Sequence, residues 1–265
     1  MKTLFLAWQA AQQHPNSGQP SRAWYPIGRL EAAQDRRIYR FTYTQGARRA
    51  QKESGFAPLM AFPNIDCVYE DDELFPLFQN RLLNPRRSDY PAFLERMAMT
   101  PEDADPMEVL ALSEGMRQTD HLQVFPPIQT DGKGHFHSRF FLHGWRHANP
   151  MAQERLQRLR QGEALRVALE INNPVASMAV QLQSSDDLMV MGWAPRYLVD
   201  DLVRACHAAP TEITAHVCKI NRPPVPYQQR VLVELSGQFR DTYEPMSGPD
   251  FQPIEDTLPH GNTLA

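Results

Sequence analysis

The sequence predicts an α+β protein in two parts: an N-terminal domain of mixed α/β character, then a small, partly open β-barrel with helices. Three observations carry that prediction. The chain has 265 residues, 42% hydrophobic and 22% charged, enough length for one large or two ordinary domains and the composition of a folded protein. Turn signals cluster mid-chain, at Phe125-Pro126-Pro127 and at Thr130-Asp131-Gly132-Lys133-Gly134. Beyond them, apolar and polar residues alternate along several short runs, the period of half-buried strands.

In the N-terminal part, Leu4 to Trp8 and Ile38 to Thr44 read as strands. Two helical segments follow. Asp71, Asp72 and Glu73 precede Leu74, Leu77, Phe78 and Leu82, with Arg81, Arg86 and Arg87 at the far end, a charge order that suits a helix dipole. Tyr90 to Met99 and Pro106 to Leu112 continue the helical pattern. Strands first and helices after give an α+β unit over residues 1–118.

Residues 119–134 read as a linker. After it, His137 to Leu142 is a strand, and Asn149-Pro150 supplies an N-cap and a first-turn proline for a helix stopped near Gly162. Leu165, Val167, Leu169 and Ile171 alternate with Arg166, Ala168 and Glu170. Met178 to Leu182 forms another strand, and the Ser184-Ser185-Asp186-Asp187 turn leads into Leu188 to Trp193. Pro195 opens a helix with Leu198, Val199, Leu202, Val203 and Cys206 on one face. Ile213 to Ile220 and Arg230 to Leu235 complete a barrel over residues 135–236. Residues 237–265 read as an extended or disordered acidic tail.

Charge and cysteine usage bound the function. The net charge of −4 excludes a protein that coats duplex DNA through a basic excess, so any nucleic-acid contact must be local. Residues 135–220 hold nine Arg/Lys against eight Asp/Glu, while residues 237–265 hold one against five. No run of 18 apolar residues suits a membrane-spanning helix, and Met1 to Ala7 is too short for a secretory leader. Cys67, Cys206 and Cys218 have neither a disulfide-framework nor a zinc-site spacing. A reducing, cytoplasmic compartment is expected.

The informative motifs lie in the second part. Phe141-Leu142-His143-Gly144-Trp145-Arg146-His147 comes first. Leu169-Glu170-Ile171-Asn172-Asn173-Pro174-Val175-Ala176-Ser177-Met178-Ala179-Val180 follows, then Met191-Gly192-Trp193-Ala194-Pro195-Arg196-Tyr197-Leu198. This ordered set resembles the HIRAN domain, in which an Arg-aromatic pair, an Asn-Pro turn and a Gly-x-x-Pro-Arg segment occur in that order. The resemblance covers residues 135–236. It implies an OB-like barrel, a protein that captures single-stranded DNA ends, and a stand-alone bacterial type. Transferred onto this chain, it implies that Arg146 and His147 hold phosphate and stack on a base. Asn172 and Asn173 would line the same pocket, with Trp193 and Arg196 approaching from the third strand and the helix after it. Two departures weaken end recognition: Ala176 stands where the family has Asp, and Met178 where it has Asn.

A weaker likeness runs through residues 1–118. Tyr39-Arg40-Phe41-Thr42-Tyr43, Phe56-Ala57-Pro58-Leu59 and Leu74 to Leu82 are similar to segments of the N-terminal subdomain of HipA-type toxins. That likeness implies a non-catalytic unit with a protein partner.

Other chemistry finds little in the sequence. On strands, His135 with His137, and His143 with His147, would share faces, but no carboxylate lies between Gly134 and Ala152 to complete a metal site. No GxSxG, GxGxxG or phosphate-loop signature occurs, and Cys67 has no adjacent base. The expected protein is therefore not an enzyme, with no catalytic residue, no cofactor and no metal. Its expected function is nucleic-acid binding, to single-stranded DNA or DNA ends, with no membrane association. The alternative is a regulatory protein-interaction module of a toxin–antitoxin or phage-defence assembly with a degenerate pocket. A metal-dependent hydrolase built on the histidines is a third reading.

Overall fold

The computed structural model describes residues 1–10, 23–33, 38–240 and 242–254. The chain divides into two compact units. The first holds residues 1–87, 104–127 and 246 onward, and the second holds 88–103 and 128–245. Both are α+β, and each is described by itself.

The first unit is a five-stranded antiparallel sheet among the described residues. Its strands are β1 (Lys2–Gln9), β2 (Trp24–Ala33), β3 (Ile38–Tyr43), β4 (Val68–Asp71) and β5 (Leu122–Phe125), ordered β4-β3-β2-β1-β5. Helix α1 (Gln45–Ser54), the single turn α2 (Pro76–Gln79) and α4 (Pro106–Ser113) belong to it. The sequence pattern hides β2 because Pro26 and Gly28 resemble strand breakers. Pro26 lies opposite Ala7, where the β1–β2 register shifts, the kind of position a sheet reserves for proline. Gly28 is required because a Cβ there would stand 2.5 Å from the Phe41 ring.

Aromatic packing fills this unit. Phe41 and Phe62 stack with ring centroids 4.0 Å apart and planes 17° apart. The buried Tyr43 hydroxyl donates to the Phe62 carbonyl oxygen at 2.7 Å and accepts the Leu59 N–H at 2.8 Å. Burial pushes its pKa well above the ordinary tyrosine value.

Several expectations for this region are corrected. Part of the expected linker 119–134 is strand: residues 122–125 pair with Phe5–Trp8, because Leu122, Val124 and Phe125 are apolar enough to be buried. Residues 131–134 form a closed turn, with the Asp131 carboxylate accepting the Lys133 and His135 N–H groups. Asp71, Asp72 and Glu73 do not open a long helix. Asp71 ends β4 and accepts the Glu73 N–H, and the helix that follows spans only Pro76–Gln79. Part of the expected tail is ordered, with residues 246–254 belonging to this unit. Ile254 is buried and its N–H donates to the Tyr43 carbonyl, and Phe251 packs edge-on against Phe5 at 5.0 Å. The rest of that tail, 255–265, lies outside the described residues.

The second unit is a six-stranded antiparallel sheet among the described residues. Its strands are β6 (His135–Phe141), β7 (Ala164–Asn173), β8 (Ser177–Ser184), β9 (Val190–Trp193), β10 (Thr214–Ile220) and β11 (Val231–Gln238), ordered β6-β11-β10-β7-β8-β9. Helices α3 (Tyr90–Arg96), α5 (Pro150–Gln157) and α6 (Val199–Ala208) accompany it. The expected barrel is not closed. Its outer strands meet at one point, where His143, two residues beyond β6, exchanges both backbone hydrogen bonds with Trp193 at 2.9 and 3.0 Å.

Local sequence explains most of these elements. The Asn149 side chain accepts the Ala152 N–H and caps α5, with Pro150 in its first turn. That helix ends at Gln157, before the expected stop at Gly162. Helix α3, expected in the first domain, belongs to the second unit because Leu94 and Met97 are buried. Asn221 and Arg139 donate side-chain hydrogen bonds to the carbonyl oxygens of Arg96 and Met97. Phe239 and Tyr243 also pack here. Phe239 stacks on Phe136 at 4.6 Å, and the Tyr243 hydroxyl bonds the buried Asp201 carboxylate at 2.6 Å.

Candidate nucleic-acid interface

The polar face of β7, β8 and β9 is the starting point. Strand period puts Arg166, Ala168 and Glu170 on one side of β7. Ala168 lies opposite Gln181, and Gln181 lies opposite Trp193, so all of these side chains share a face. A side-chain hydrogen bond of 3.1 Å from Gln183 to Gln181 runs along the same face.

Trp193 is the centre of this arrangement. Its indole N–H donates to a Glu170 carboxylate oxygen at 2.6 Å. Burial opposes ionisation of Glu170, but hydrogen bonds from Trp193, Gln181 and Asn173 outweigh it and hold the carboxyl below its ordinary value. A charged acceptor therefore fixes the indole edge. Gly144 approaches the indole from the other side of the sheet's seam. At φ +65° it is left-handed, and a Cβ there would lie 2.8 Å from the ring carbon Cε3.

A 3₁₀ turn, Trp145–His147, starts directly after Gly144 and carries Arg146 and His147. Trp145 anchors it: its indole N–H donates to the Tyr227 carbonyl at 3.0 Å, and the two rings lie 5.2 Å apart. Arg146 and His147 are both exposed, and the Arg146 Nε–H donates to the His147 imidazole at 3.1 Å.

The structure thus brings together Asn173 and Trp193, through Glu170, and seats the Arg146–His147 turn beside Trp193. Asn173 has a structural duty as well: its side-chain oxygen accepts the N–H groups of Val175 and Ala176, each at 2.9 Å, and so builds the Pro174–Ala176 turn. Asn172 is exposed and left-handed, φ +63°, where the β7–β8 register shifts. Among the described residues, no hydrogen bond joins it to the Trp193 cluster. Arg196 is half-buried at the start of the 3₁₀ turn Arg196–Leu198, three residues beyond Trp193.

Sequence reasoning missed Glu170, Gln181 and the Trp145–Tyr227 anchor. The signal for the first two was present: each falls on the polar side of an alternating strand, Gln181 directly opposite Trp193 and Glu170 one strand further on. The anchor pairs residues 82 positions apart and leaves no local trace.

The histidines divide differently from the expectation. His135 and His137 do share a face of β6, beside a recess of about 370 Å³ that Glu212, Ser236 and Gln238 also line. His135 is bonded to Asp131 at 3.0 Å and His137 to Ser236 at 2.9 Å. His143 and His147 do not share a strand face, because Gly144 turns the chain into the 3₁₀ turn. Among the described residues, no three His, Cys, Asp or Glu side chains gather as metal ligands. Nor is any described helix long and apolar enough to cross a membrane.

Comparison with protein-family models, with curated proteins and with solved structures finds no match to this chain.

Proposed function

We propose that the second unit binds a short stretch of single-stranded nucleic acid, DNA in the first instance, on the polar face of β7–β8–β9. One observation carries the reading: Trp193, fixed at its edge by Glu170, lies beside a turn that presents Arg146 and His147 to solvent. Aromatic rings stack on unpaired bases whatever their sequence, and exposed arginines neutralise phosphates. Arg166 adds a further cation to the same face, and the glutamines supply donors and acceptors for base edges. Glu170 limits the footprint, because a fixed negative charge repels phosphate and leaves the rim to carry the backbone. No catalytic step enters this reading. The first unit, on the HipA-like likeness, serves a protein partner.

Fluorescence anisotropy with a labelled single-stranded oligonucleotide tests it. Binding weakens with salt on a shallow slope, and Arg146→Ala lowers that slope by about one. Trp193 emission is quenched at saturation. Equal affinity in the parent and in an Arg146→Ala/Arg196→Ala double variant sinks the proposal. Because Ala176 offers no acceptor, oligonucleotides ending in a 3′-hydroxyl or a 3′-phosphate compete almost equally.

A further inference from the structure

The indole at the centre of the polar face has a charged group at its edge, and that group has a use of its own. Glu170 receives three hydrogen bonds: the Trp193 indole N–H at 2.6 Å, and one each from the Gln181 and Asn173 side chains. An ionised carboxylate has no proton to give, so in all three Glu170 is the acceptor. The same direction runs on to Gln183, whose amide N–H donates to the Gln181 side-chain oxygen at 3.1 Å. The side chains of this face are ordered around one fixed acceptor.

That acceptor is not used up. A carboxylate has roughly four lone-pair positions, and three are taken here. Glu170 is half-buried, so part of it still meets solvent. Its neighbours on the face are Ala168, two residues back on β7, and Ala179, directly opposite on β8, and a methyl group is too short to cover a carboxylate. Bases differ in what they bring to such a group. On its pairing edge guanine carries two donors side by side, N1–H and the N2 amine, with its carbonyl oxygen at the far end. Thymine carries one donor between two carbonyl oxygens. Adenine and cytosine each carry one amine beside an acceptor ring nitrogen. Opposite a carboxylate, each acceptor next to the donor is a repulsion.

We infer that Glu170 selects the base: of the four, the face around Trp193 takes guanine best, stacked on the indole with its N1–H and N2 amine toward the Glu170 carboxylate. This rests on the reading of the face as a single-strand site and adds to it a base preference. Stacking and phosphate contacts alone give none, because every base has an aromatic face and every nucleotide a phosphate. Glu170 thus has two effects on a bound strand. It keeps phosphate away from the centre of the face, and it rewards the one base that arrives there with adjacent donors.

The test uses the full chain and labelled oligothymidylates that differ only in one central nucleotide: dG, dA, dC, dT or deoxyinosine. In anisotropy titrations the dG strand binds about tenfold more tightly than the dT strand, with dA and dC between them. Deoxyinosine keeps N1–H but lacks the amine, and its strand binds about three- to fivefold more weakly than the dG strand. Glu170→Gln removes a charge that repels phosphate, so the variant binds the all-dT strand at least as well as the parent does, while its preference for dG falls to about twofold or less. The deoxyinosine comparison needs no variant and stands whether or not Glu170→Gln folds. One affinity for all strands would overturn the inference and leave the single-strand reading in place. So would a preference for dA or dC over dG, equal binding of the dG and deoxyinosine strands, or a dG preference that survives Glu170→Gln. Binding of none of the strands would remove both.

Discussion

Both units are built on antiparallel sheets, but they end those sheets in different ways. In the first, edge strand β4 is four residues long and carries the exposed Glu70 and Asp71, and Arg40 of the neighbouring strand pairs with Glu70. Its Tyr69 turns inward, with its ring 5.0 Å from that of Phe62. In the second unit, a ten-residue strand runs past its neighbour β10 and keeps an apolar side uncovered at its tip. The same hydrophobic alternation that fills a core at Leu165 becomes surface four to six residues later, at Leu169 and Ile171. Where a sheet's apolar pattern outlasts its partner strands, the surplus is a feature of the surface, and function is to be sought there.

The largest effect that this contrast predicts is in the first unit. Phe41→Ala removes a ring that is 0% exposed and should cost about 3–5 kcal/mol in denaturant unfolding. A loss below about 1 kcal/mol would mean that the aromatic cluster is not the core of that sheet. The matching change in the second unit, Ile171→Thr, should lie within about 0.5 kcal/mol of the parent, as for other exposed positions. A cost comparable with Phe41→Ala would show the strip to be covered.

Asn173→Ala sharpens the comparison at the hairpin. It removes the acceptor for two turn N–H groups and a donor to Glu170, and should cost about 1–2 kcal/mol by thermal unfolding. Asn172 behaves otherwise. At φ +63°, Asn172→Gly should stay within about 0.5 kcal/mol of the parent, while Asn172→Val costs about 1–2 kcal/mol. If Asn172→Gly weakens oligonucleotide binding at unchanged stability, the Asn172 side chain touches the ligand.

The smallest expected effect concerns acid. A side-chain hydrogen bond from His135, and the N–H groups of His135 and Lys133, lower the Asp131 carboxyl from 3.8 to about 2. Its folded value lies below its unfolded one, so it stabilises the turn above the ordinary carboxylate range. That contribution disappears as pH falls through 3.8 toward 2. Asp131→Asn should flatten this part of the acid-unfolding profile and leave neutral pH almost unchanged.

What could be read from the sequence followed period and capping. Strands expected from His137, Leu165, Met178, Ile213 and Arg230 were visible because apolar and polar residues alternate along them, and α5 because Asn149-Pro150 announces its start. β2 was not, because a proline at a register shift and a glycine beneath an aromatic ring are tolerated only through tertiary context. The division into units was misplaced for a related reason. Residues 88–103 and 246–254 are held by partners distant in sequence, such as Asn221 for Arg96 and Tyr43 for Ile254. At the site, Trp193 and Asn173 were legible from the Asn-Pro and Gly-Trp segments, but the Glu170 bond that links them is a cross-sheet contact.

The meeting of His143 with Trp193 gives the second unit a latch. Its sheet is nearly a ring, and one pair of backbone hydrogen bonds spans the remaining gap. Releasing them costs roughly 1 kcal/mol each in net terms, far less than unfolding the unit. The two amide protons at the latch should therefore exchange with solvent deuterium through a local opening whose rate does not track global stability. Trp193 carries one of those amides, so the residue at the centre of the polar face is also the residue whose freedom the latch governs. A ligand that stacks on the indole would hold the latch shut, and slower exchange at exactly those two amides would record its arrival.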